Sequence, residues 1–558
     1  MPRAFLLAAA IICIIAFALT LLIASFDDAA TFYLYKEDRW LLLAGAASLA
    51  LAGWRGRPSV QSFTLSPRLL AFAGGAMVLL LYLGHYWILC GYDLSRDEQM
   101  AVFDSRIFAT GHLVQPLPAL WQAHPDALNR LYMLAILHPT AWSSAYLPMN
   151  AALRALVDLF GDAALTGPLL TILGGVALWK CARLLWPQDR EPALLALLLY
   201  AVSGQVVLAG MSAFAMPSHL CFNLIWLWLY LLDRRGADLA ALLIGFVTTG
   251  LHQPLFHPLF AAPFLMLLVT RRAWGRLALF GLGYAAICAF WGSWPGWMVA
   301  LSGGAQSPPP DTDYWSRLKL VLMTNNSPRL LYMTANLLRF VAWQHVLLLP
   351  LAAIGCVRAR SNGLVAALAA SVLLPVGVMA IILPAQGNGF GYRYLHGEIG
   401  CLILLAAFGW QSLGLAQSWV RPILLRATGA MIVLVLPLQM AMSHALYAAY
   451  ARSDAAIASS GMDYVLLDQE DAPFAVNLIL NRADLSNRPV RLDARAMDGA
   501  LRRQLCATHP RVALPHASLF APIGFYLGWP LDHSVAEPDI AALAPRLRAE
   551  GCRLSLLG

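Results

Sequence analysis

Long apolar runs alternate with short polar segments along most of this 558-residue chain. A helix needs about 20 predominantly apolar residues to cross the hydrocarbon core of a bilayer. Runs near that length lie at 4–25, 40–54, 69–90, 164–182, 192–211, 218–232, 237–251, 255–270, 276–296, 331–357, 364–384, 395–415 and 424–446. The pattern predicts a polytopic α-helical membrane protein with about thirteen transmembrane helices. The first run lacks a small-residue cleavage site, so we expect it to stay as a span.

Basic residues fall at every second junction between these runs. They are Arg55, Arg57, Arg68, Lys180, Arg183, Arg190, Arg234, Arg235, Arg271, Arg272, Arg276, Arg358, Arg360, Arg421 and Arg426. Cytoplasmic loops of membrane proteins carry the excess of lysine and arginine. We therefore expect a cytoplasmic N-terminus, and an extracytoplasmic location for residues 91–161 and for everything after about Ala448.

Three of the predicted extracytoplasmic regions are too long to be turns. Region 91–161 ends in LPMNAALRALVDLFGD, whose spacing predicts an amphipathic helix along the membrane surface. Region 293–330 contains a proline-rich loop, SGGAQSPPPDTDYW, and an amphipathic RLKLVLM. After residue 448, strand-like DYVLLD, RPVRLDA and PRVALPH alternate with helical DAPFAVNLILNRA, AMDGALRRQLCA and IAALAPRLRAE. This alternation predicts a small C-terminal α/β domain.

The composition supports a membrane protein and removes several other classes. Only 12% of the residues are charged and 60% are hydrophobic, whereas soluble domains have about 25% charged residues. The net charge of +8 comes from arginines in short loops, so it indicates no nucleic-acid partner. No GxxxxGK[ST] or GxSxG motif is present, which disfavours an ATP-driven motor and a serine esterase. Cys506 and Cys552 could form a disulfide if their region is extracytoplasmic.

A cluster of charged side chains, YDLSRDEQMAVFD at 92–104, follows the third apolar run. Ser95 and Glu98 match the S-x-x-E capping box that starts a helix. Asp97 and Glu98 would differ by roughly 100° of rotation on that helix, so one carboxylate can face a cavity while the other bonds elsewhere. We expect Ser95 and Glu98 to start the helix, with Asp97 left free to act as a general base.

Two histidines, His252 and His257, lie in TTGLHQPLFHPLF at the boundary between the seventh and eighth runs. They are five residues apart and Pro254 separates them, so they do not share a helix face, and a zinc site is disfavoured. Two roles stay open for them: hydrogen bonding to an anionic phosphate, or fixing a loop.

The stretch NGFGYRYLHGE, 388–398, precedes the apolar part of the twelfth run. Arg393 is its only arginine or lysine, and a guanidinium suits bidentate binding of phosphate. Glu398 is an ionisable residue at the start of an apolar run, which makes it a functional candidate. The alternative is an ion pair of Arg393 with Glu398 or Asp97 that locks helices together. The glycines at 387, 389 and 391 suit a close approach to a ligand or a tight turn.

Four stretches resemble, in order, the membrane glycosyltransferases of the GT-C superfamily, in the protein-mannosyltransferase and aminoarabinose-transferase-like group. They are SRDEQMAVFDSRIFATGHL with its Asp-Glu pair, SAYLPMNAALRALVDLFGD with Tyr146 and Pro148, GFVTTGLHQPLFHPLFAAPFLM, and GYRYLHGEIGCLILLAAFGW with Arg393 and Tyr394. Together they cover about residues 70 to 415. The chain departs from the group in having three spans before the Asp-Glu loop, where one is common. It also lacks a lysine that some aminoarabinose transferases have after that loop.

The resemblance implies a GT-C fold and transfer of a sugar from a polyprenyl-phosphate donor to an extracytoplasmic glycan, lipid or protein. It implies Asp97 as general base beside Glu98, and Arg393 on the donor phosphate with Tyr394, His252 and His257. Tyr146, Pro148 and His396 would line the substrate cavity. The resemblance implies no definite cofactor, and dependence on a divalent metal is left open.

The resemblance also implies an organisation and a location for the chain. Residues 1–68 would form an added transmembrane hairpin, 69–447 the catalytic membrane module, and 448–558 a periplasmic domain. We expect a multi-pass protein of a bacterial inner membrane. The alternatives are a polysaccharide polymerase or ligase, and a non-enzymatic transporter or flippase of lipid-linked glycans.

Overall fold

The computed structural model describes residues 2–21, 29–53, 65–304, 328–468, 473–528 and 538–558. Its helices are α1 Pro2–Thr20, α2 Ala29–Tyr33, α3 Arg39–Gly53, α4 Pro67–Trp87, α5 Arg96–Ala109, α6 Ala119–Ala123, α7 Met149–Asp158, α8 Thr166–Leu185, α9 Glu191–Ala201, α10 Gly204–Gly210, α11 Met216–Leu231, α12 Arg235–Thr249, α13 Phe256–Thr270, α14 Trp274–Leu301, α15 Arg329–Ala342, α16 Leu348–Cys356, α17 Gly363–Ile382, α18 Ile399–Ser412, α19 Gln417–Ala430, α20 Leu436–Ala458, α21 Gly499–Cys506, α22 Ala517–Leu527 and α23 Pro538–Ala549. The strands are β1 Gln115–Pro116, β2 Ala141–Trp142, β3 Tyr464–Leu467, β4 Val490–Asp493, β5 Arg511–Pro515 and β6 Arg553–Leu557. Arg55, Arg57, most of the proline-rich loop and RLKLVLM lie outside the described residues.

The protein is a membrane protein built mainly from helices. Within the described ranges, five helical stretches are long and apolar enough to cross a membrane, or six if the bent pair α9 and α10 counts as one span. The predicted number of thirteen is therefore not confirmed. Several predicted spans fold as helices of 14 to 16 residues, such as α11 and α18, which is below the length of about 20 that a span needs.

The run 192–211 was predicted as one span, but the chain breaks it into two helices bent by 61°. Ser203 caps the second helix, because its side chain accepts a hydrogen bond from the backbone N–H of Val206. Gly204 packs closely against Gln439, because a Cβ on Gly204 would lie 1.9 Å from the side-chain oxygen of Gln439 and that side chain would have to move. The break is therefore caused by a cap together with close packing.

The chain divides into two compact units, and each is described by itself. Unit 1 consists of Met1–Leu83, Ala164–Gly292 and Pro310–Met442. In this unit α16 packs closely against α18, where Cβ atoms on Gly355 and Gly409 would lie within 2.0 Å of backbone oxygens of the opposite helix. Small residues allow such backbone contact between membrane helices. The contact fixes α18, and α18 directly follows the 3₁₀ segment Arg393–Glu398.

Unit 2 consists of Gly84–Ala163, Ser293–Pro309 and Ser443–Gly558. Its four-stranded sheet has the order β4-β3-β5-β6, and all three pairings are parallel. Apolar residues of α5 (Met100, Phe103, Ile107) belong to one buried cluster with Leu466 of β3 and Leu492 of β4. Because unit 2 joins residues 84–163 to the C-terminal residues, a separate domain at 448–558 stays a prediction.

The strands at 464–467, 490–493 and 511–515 confirm the three predicted ones, and α7, α21 and α23 confirm predicted helices. One prediction is wrong: within its described residues, 473–483, the stretch DAPFAVNLILNRA forms only a short 3₁₀ segment, Pro473–Asn477. The carbonyl of Asn477 accepts hydrogen bonds from Tyr92 and Gln99 at 3.0 and 2.8 Å, so tertiary contacts replace helical ones there. Cys506 and Cys552 are joined by a disulfide, the pairing that the sequence had left open.

Candidate functional site

The helix α5 starts with the capping box that the sequence predicts. The Ser95 hydroxyl accepts from the backbone N–H of Glu98 at 3.3 Å, and the Glu98 carboxylate accepts from the backbone N–H of Ser95 at 3.0 Å. Glu98 is buried and also accepts a hydrogen bond from the hydroxyl of Tyr447, at 3.0 Å to Oε2. Its carboxylate therefore holds the start of α5 and connects it to α20.

Asp97, the next candidate, is partly exposed at the first turn of α5. The hydroxyl of Tyr146 donates a short hydrogen bond to Asp97 Oδ1. Asp97 takes no part in the capping box, and a tyrosine 49 residues further along the chain orients its carboxylate, so its role as general base stays a prediction. Pro148, two residues after Tyr146, is buried and directly precedes α7. Within unit 2 the structure thus brings Asp97 together with one of the predicted cavity residues, Tyr146.

Arg96 anchors the same helical turn, a role that the sequence analysis did not assign. It donates to the carbonyls of Asn129 and Leu131 at 3.3 and 3.0 Å and to the side chain of Gln99 at 2.9 Å. Burial lowers the pKa of Arg96 to about 10, so the guanidinium stays charged at neutral pH. These bonds fix the direction in which the first turn of α5 presents Asp97.

A second missed arginine, Arg154, is buried in α7 near two carboxylates. Burial lowers the pKa of Arg154, and the charges of Asp93 and Glu98 oppose that shift. Burial likewise raises the pKa of Asp93, and the positive charge of Arg154 opposes it. The sequence signal was a single arginine within the stretch LPMNAALRALVD, whose spacing predicts an amphipathic helix along the membrane surface.

In unit 1, Arg393 lies beside a small cavity of about 10 Å³, room for roughly one water molecule. The lining residues are Met216, His219, Asn223, Phe256, Arg393, Tyr394, His396, Gly397 and Glu398. Three of the predicted site residues, Arg393, Tyr394 and His396, therefore meet here. His219 and Asn223 come from α11, which no motif had singled out.

The turn before Arg393 is shaped around its side chain. Gly389 has a φ of +148°, and a Cβ on it would lie 2.2 Å from Arg393 Cδ. The guanidinium carbon lies 4.8 Å from the ring centre of Phe214, and the backbone N–H of Arg393 donates to Gln386 at 2.8 Å. Of the two interpretations of these glycines, Gly389 fits the tight turn, because its backbone approaches Arg393 itself.

Several buried polar atoms around this cavity have no hydrogen-bond partner among the described residues. They are both ring nitrogens of His219, Nδ1 of His396 and Oε2 of Glu398. The three side chains are 5%, 1% and 2% exposed. More than about 90% of buried polar groups in proteins are hydrogen-bonded. The cavity is therefore lined by donors and acceptors that the described protein does not satisfy.

The two histidines singled out earlier do not line this cavity. His257 is fully buried, and its ring nitrogens pair with Asn223 Oδ1 and the Tyr284 hydroxyl, each at 2.8 Å. Asn223 in turn donates to the carbonyl of Gly397 at 3.2 Å. Both ring nitrogens of His257 thus pair with side chains of α11 and α14, and a role for His257 at the donor phosphate stays a prediction. His252 is partly exposed at the turn between α12 and α13.

Among the described residues, no group of three His, Cys, Asp or Glu side chains is arranged to hold a metal ion. The candidate residues fall into two sets, one around Asp97 in unit 2 and one around Arg393 in unit 1. A shared cavity for Asp97 and Arg393 stays a prediction.

No family profile and no curated protein sequence matches this chain. Similar solved structures include the crystal structure of ArnT from Cupriavidus metallidurans in the apo state, with 15% identity and a TM-score of 0.48 over 74% of this chain and 84% of that chain. ArnT from the same organism bound to undecaprenyl phosphate has 14% identity and a TM-score of 0.47 over 88% of this chain and 90% of that chain.

The apo Archaeoglobus fulgidus oligosaccharyltransferase has 11% identity and a TM-score of 0.41 over 83% of this chain and 69% of that chain. ArnT, an aminoarabinose transferase, and this oligosaccharyltransferase are both GT-C glycosyltransferases.

Proposed function

We propose that this protein transfers a sugar from a polyprenyl-phosphate donor to a hydroxyl of an extracytoplasmic acceptor. The observation that carries the proposal is the cavity beside Arg393, whose buried polar atoms on His219, His396 and Glu398 lack protein partners. An anionic oxygen and a hydroxyl at the edge of a bound donor, reaching into this small cavity, would supply the partners that these atoms need. The resemblance of the sequence to GT-C glycosyltransferases supports the same chemistry.

The phosphate of the donor is assigned to Arg393. A guanidinium is permanently charged and binds phosphate oxygens in pairs, and its charge stabilises the phosphate that gains negative charge as it leaves. The ring N–H groups of His219 and His396 donate to the same oxygens. Glu398 accepts from hydroxyl groups of the sugar. Because Arg393 neutralises the leaving phosphate, the proposal requires no metal.

Asp97 is assigned as the general base. Its carboxylate takes the proton of the acceptor hydroxyl while that oxygen forms the new bond to the anomeric carbon. The bond between this carbon and the phosphate oxygen breaks, and the polyprenyl phosphate leaves with the electron pair, so the anomeric configuration inverts. The hydrogen bond from Tyr146 holds the carboxylate in one orientation. Glu98 is assigned a positioning role, because its bonds to Ser95 and Tyr447 fix the helix.

The location and partners form part of the proposal. The protein would be an inner-membrane enzyme of a bacterium, with a cytoplasmic N-terminus and periplasmic C-terminal residues that help to position the acceptor. The acceptor would be a cell-envelope glycan, lipid or protein. The carrier belongs to the class present in the ArnT complex with undecaprenyl phosphate, but the assignment for this chain relies on its own residues and on the sequence resemblance.

Substitution of Arg393 tests the proposal. In purified protein, Arg393→Gln should weaken binding of a radiolabelled polyprenyl-phosphate sugar by about 10- to 100-fold, since a hydrogen bond to a charged group contributes about 1.5–3 kcal/mol. The matched control is Arg358→Gln, which changes an exposed arginine of the same unit and should leave binding unchanged. Equal binding by Arg393→Gln and wild-type protein would contradict the proposal. Transport of the intact donor without formation of a glycosylated product would favour the carrier alternative.

A further inference from the structure

A fully buried carboxylate lies in the segment between α1 and α3. Asp38 ends a π-helical segment, Leu34–Asp38, and is 0% exposed. Its Oδ2 accepts from Arg339 Nε at 2.6 Å, and its Oδ1 accepts from Trp343 Nε1, also at 2.6 Å. Arg339 is itself 1% exposed. A charged pair that is buried this deeply adds little to stability, because the cost of removing both charges from water offsets their attraction. Its contacts therefore point to another role.

The pair is connected to the turn that precedes Arg393. We call residues 386–393 the Arg393 loop. The guanidinium of Arg339 donates to the carbonyl of Gly389 at 2.7 Å. Independently, the hydroxyl of Tyr33, from the same N-terminal segment as Asp38, donates to Asn388 Oδ1 at 2.7 Å. Two hydrogen bonds thus hold consecutive residues of the loop, one from Tyr33 itself and one from the arginine that Asp38 orients.

Within the loop, the position of Gly389 determines the position of Arg393. The backbone of Gly389 lies so close to the arginine that a Cβ would meet Cδ, Nε and Cγ within 2.9 Å. Gln386 closes the loop from inside, accepting from the backbone N–H of Arg393 at 2.8 Å and donating to the carbonyl of Gly391 at 2.9 Å. A shift of the Gly389 carbonyl would therefore move the Arg393 side chain.

We propose that Asp38 is a positioning residue for the donor site. It orients Arg339, which holds the Arg393 loop and through it the guanidinium of Arg393. Of Asp38, Arg339 and Arg393, only Arg393 touches the donor, and Asp38 acts through it. The N-terminal segment thereby becomes a working part of the site instead of an appended membrane hairpin. This inference rests on the proposed function, because it takes Arg393 as the group that binds the donor phosphate.

The test is a double-mutant cycle on donor binding, since coupling identifies a residue that acts through another. Asp38→Asn should weaken donor binding about fivefold in otherwise wild-type protein, and less than twofold when Arg393→Gln is already present. An equal loss in both backgrounds, or no loss in either, would overturn the inference. The matched control is Glu191→Gln, which neutralises the carboxylate of a second buried pair, Glu191–Arg421 in unit 1, and should leave donor binding unchanged.

Tyr33→Phe provides a variant that keeps the buried pair and removes only the hydroxyl bonded to Asn388. It should weaken donor binding about threefold, again only when Arg393 is present, and it keeps the test decisive if Asp38→Asn does not fold. The two proposals fail differently. If Arg393→Gln alone leaves donor binding intact, the proposed function fails. If Arg393→Gln weakens binding while Asp38→Asn and Tyr33→Phe do not, only the positioning role fails.

Discussion

The start of α5 and the cavity beside Arg393 differ in how their buried polar groups are satisfied. Around Asp97, the buried side chains of Arg96, Glu98 and Asp104 bond to other parts of the protein, and only the Nε atoms of Arg96 and Arg154 have no partner among the described residues. Around Arg393, buried atoms of His219 and Glu398 have no hydrogen-bond partner among the described residues. The protein supplies a partner to each of these three side chains in the first region, whereas in the second region neither ring nitrogen of His219 has a protein partner, and we propose that a bound donor supplies one.

The difference predicts separate consequences of mutation. Where the protein supplies both partners, removing one leaves a buried group unsatisfied and lowers the free energy of unfolding. Where the partner is a ligand, removing the protein group weakens binding and changes stability little. Each prediction below tests one side of this comparison.

Glu98→Ala should have the largest effect on stability. It removes the reciprocal cap, which contributes about 1 kcal/mol, and leaves the Ser95 N–H and the Tyr447 hydroxyl without their acceptor at about 1–3 kcal/mol each. We expect the free energy of unfolding to fall by about 4 kcal/mol in chemical denaturation. Glu98→Gln, which can keep the capping box, should recover part of the loss. An unchanged free energy of unfolding in Glu98→Ala would mean that these bonds do not hold the helix.

Asp104 should make stability depend on pH. It is buried in α5, bonded to the backbone N–H and hydroxyl of Ser144, and burial raises its pKa from 3.8 to about 6. The folded protein thus binds a proton more tightly than the unfolded chain, so this contribution is present below about pH 4 and is lost as the pH rises through about 6. The loss should amount to about 3 kcal/mol.

The measurement is the free energy of unfolding of wild-type protein minus that of Asp104→Asn between pH 4 and pH 7.5. This difference should fall with rising pH and level off above about pH 7, one unit past the pKa, because asparagine does not titrate. A difference that stays constant over the range would show that Asp104 does not titrate as its burial implies.

The smallest expected effects come from substituting two histidines of unit 1, His219 and His257. His219→Phe should weaken donor binding about tenfold, the value of one hydrogen bond to a charged group, with little change in stability, because its ring nitrogens lose no protein bond. His257→Phe breaks bonds to Asn223 and Tyr284 and should cost about 2 kcal/mol of stability. Thermal unfolding and donor binding measured on both variants check this contrast. Loss of stability in His219→Phe would contradict it.

The sequence was enough to predict features that depend on residues close together along the chain. The capping box of Ser95 and Glu98 spans three residues, and its geometry follows from the helix itself, so it could be predicted without tertiary structure. The three predicted strands near the C-terminus were marked by β-branched and aliphatic runs between turn residues. Most apolar runs contain helices near the expected positions.

Features that depend on distant residues were missed. The break at Ser203 depends on Gln439, although the Ser-Gly pair within an apolar run was a usable signal. The bond from Tyr146 to Asp97 joins residues whose proximity no local pattern reveals. His219 was passed over within an apolar run, where an ionisable residue is itself a signal of function. The pair of Asp38 and Arg339 is separated by 301 positions, so only the fold brings it together.

Asp97→Asn tests the central claim most directly, when sugar transfer and donor binding are measured on the same purified protein. The account predicts that transfer falls by about 10²- to 10⁴-fold, the usual contribution of a general base, while donor affinity changes less than about threefold. Asp126→Asn, which alters an exposed carboxylate paired with Arg130, should leave both unchanged. Full transfer by Asp97→Asn, or loss of donor binding equal to the loss of transfer, would contradict the account.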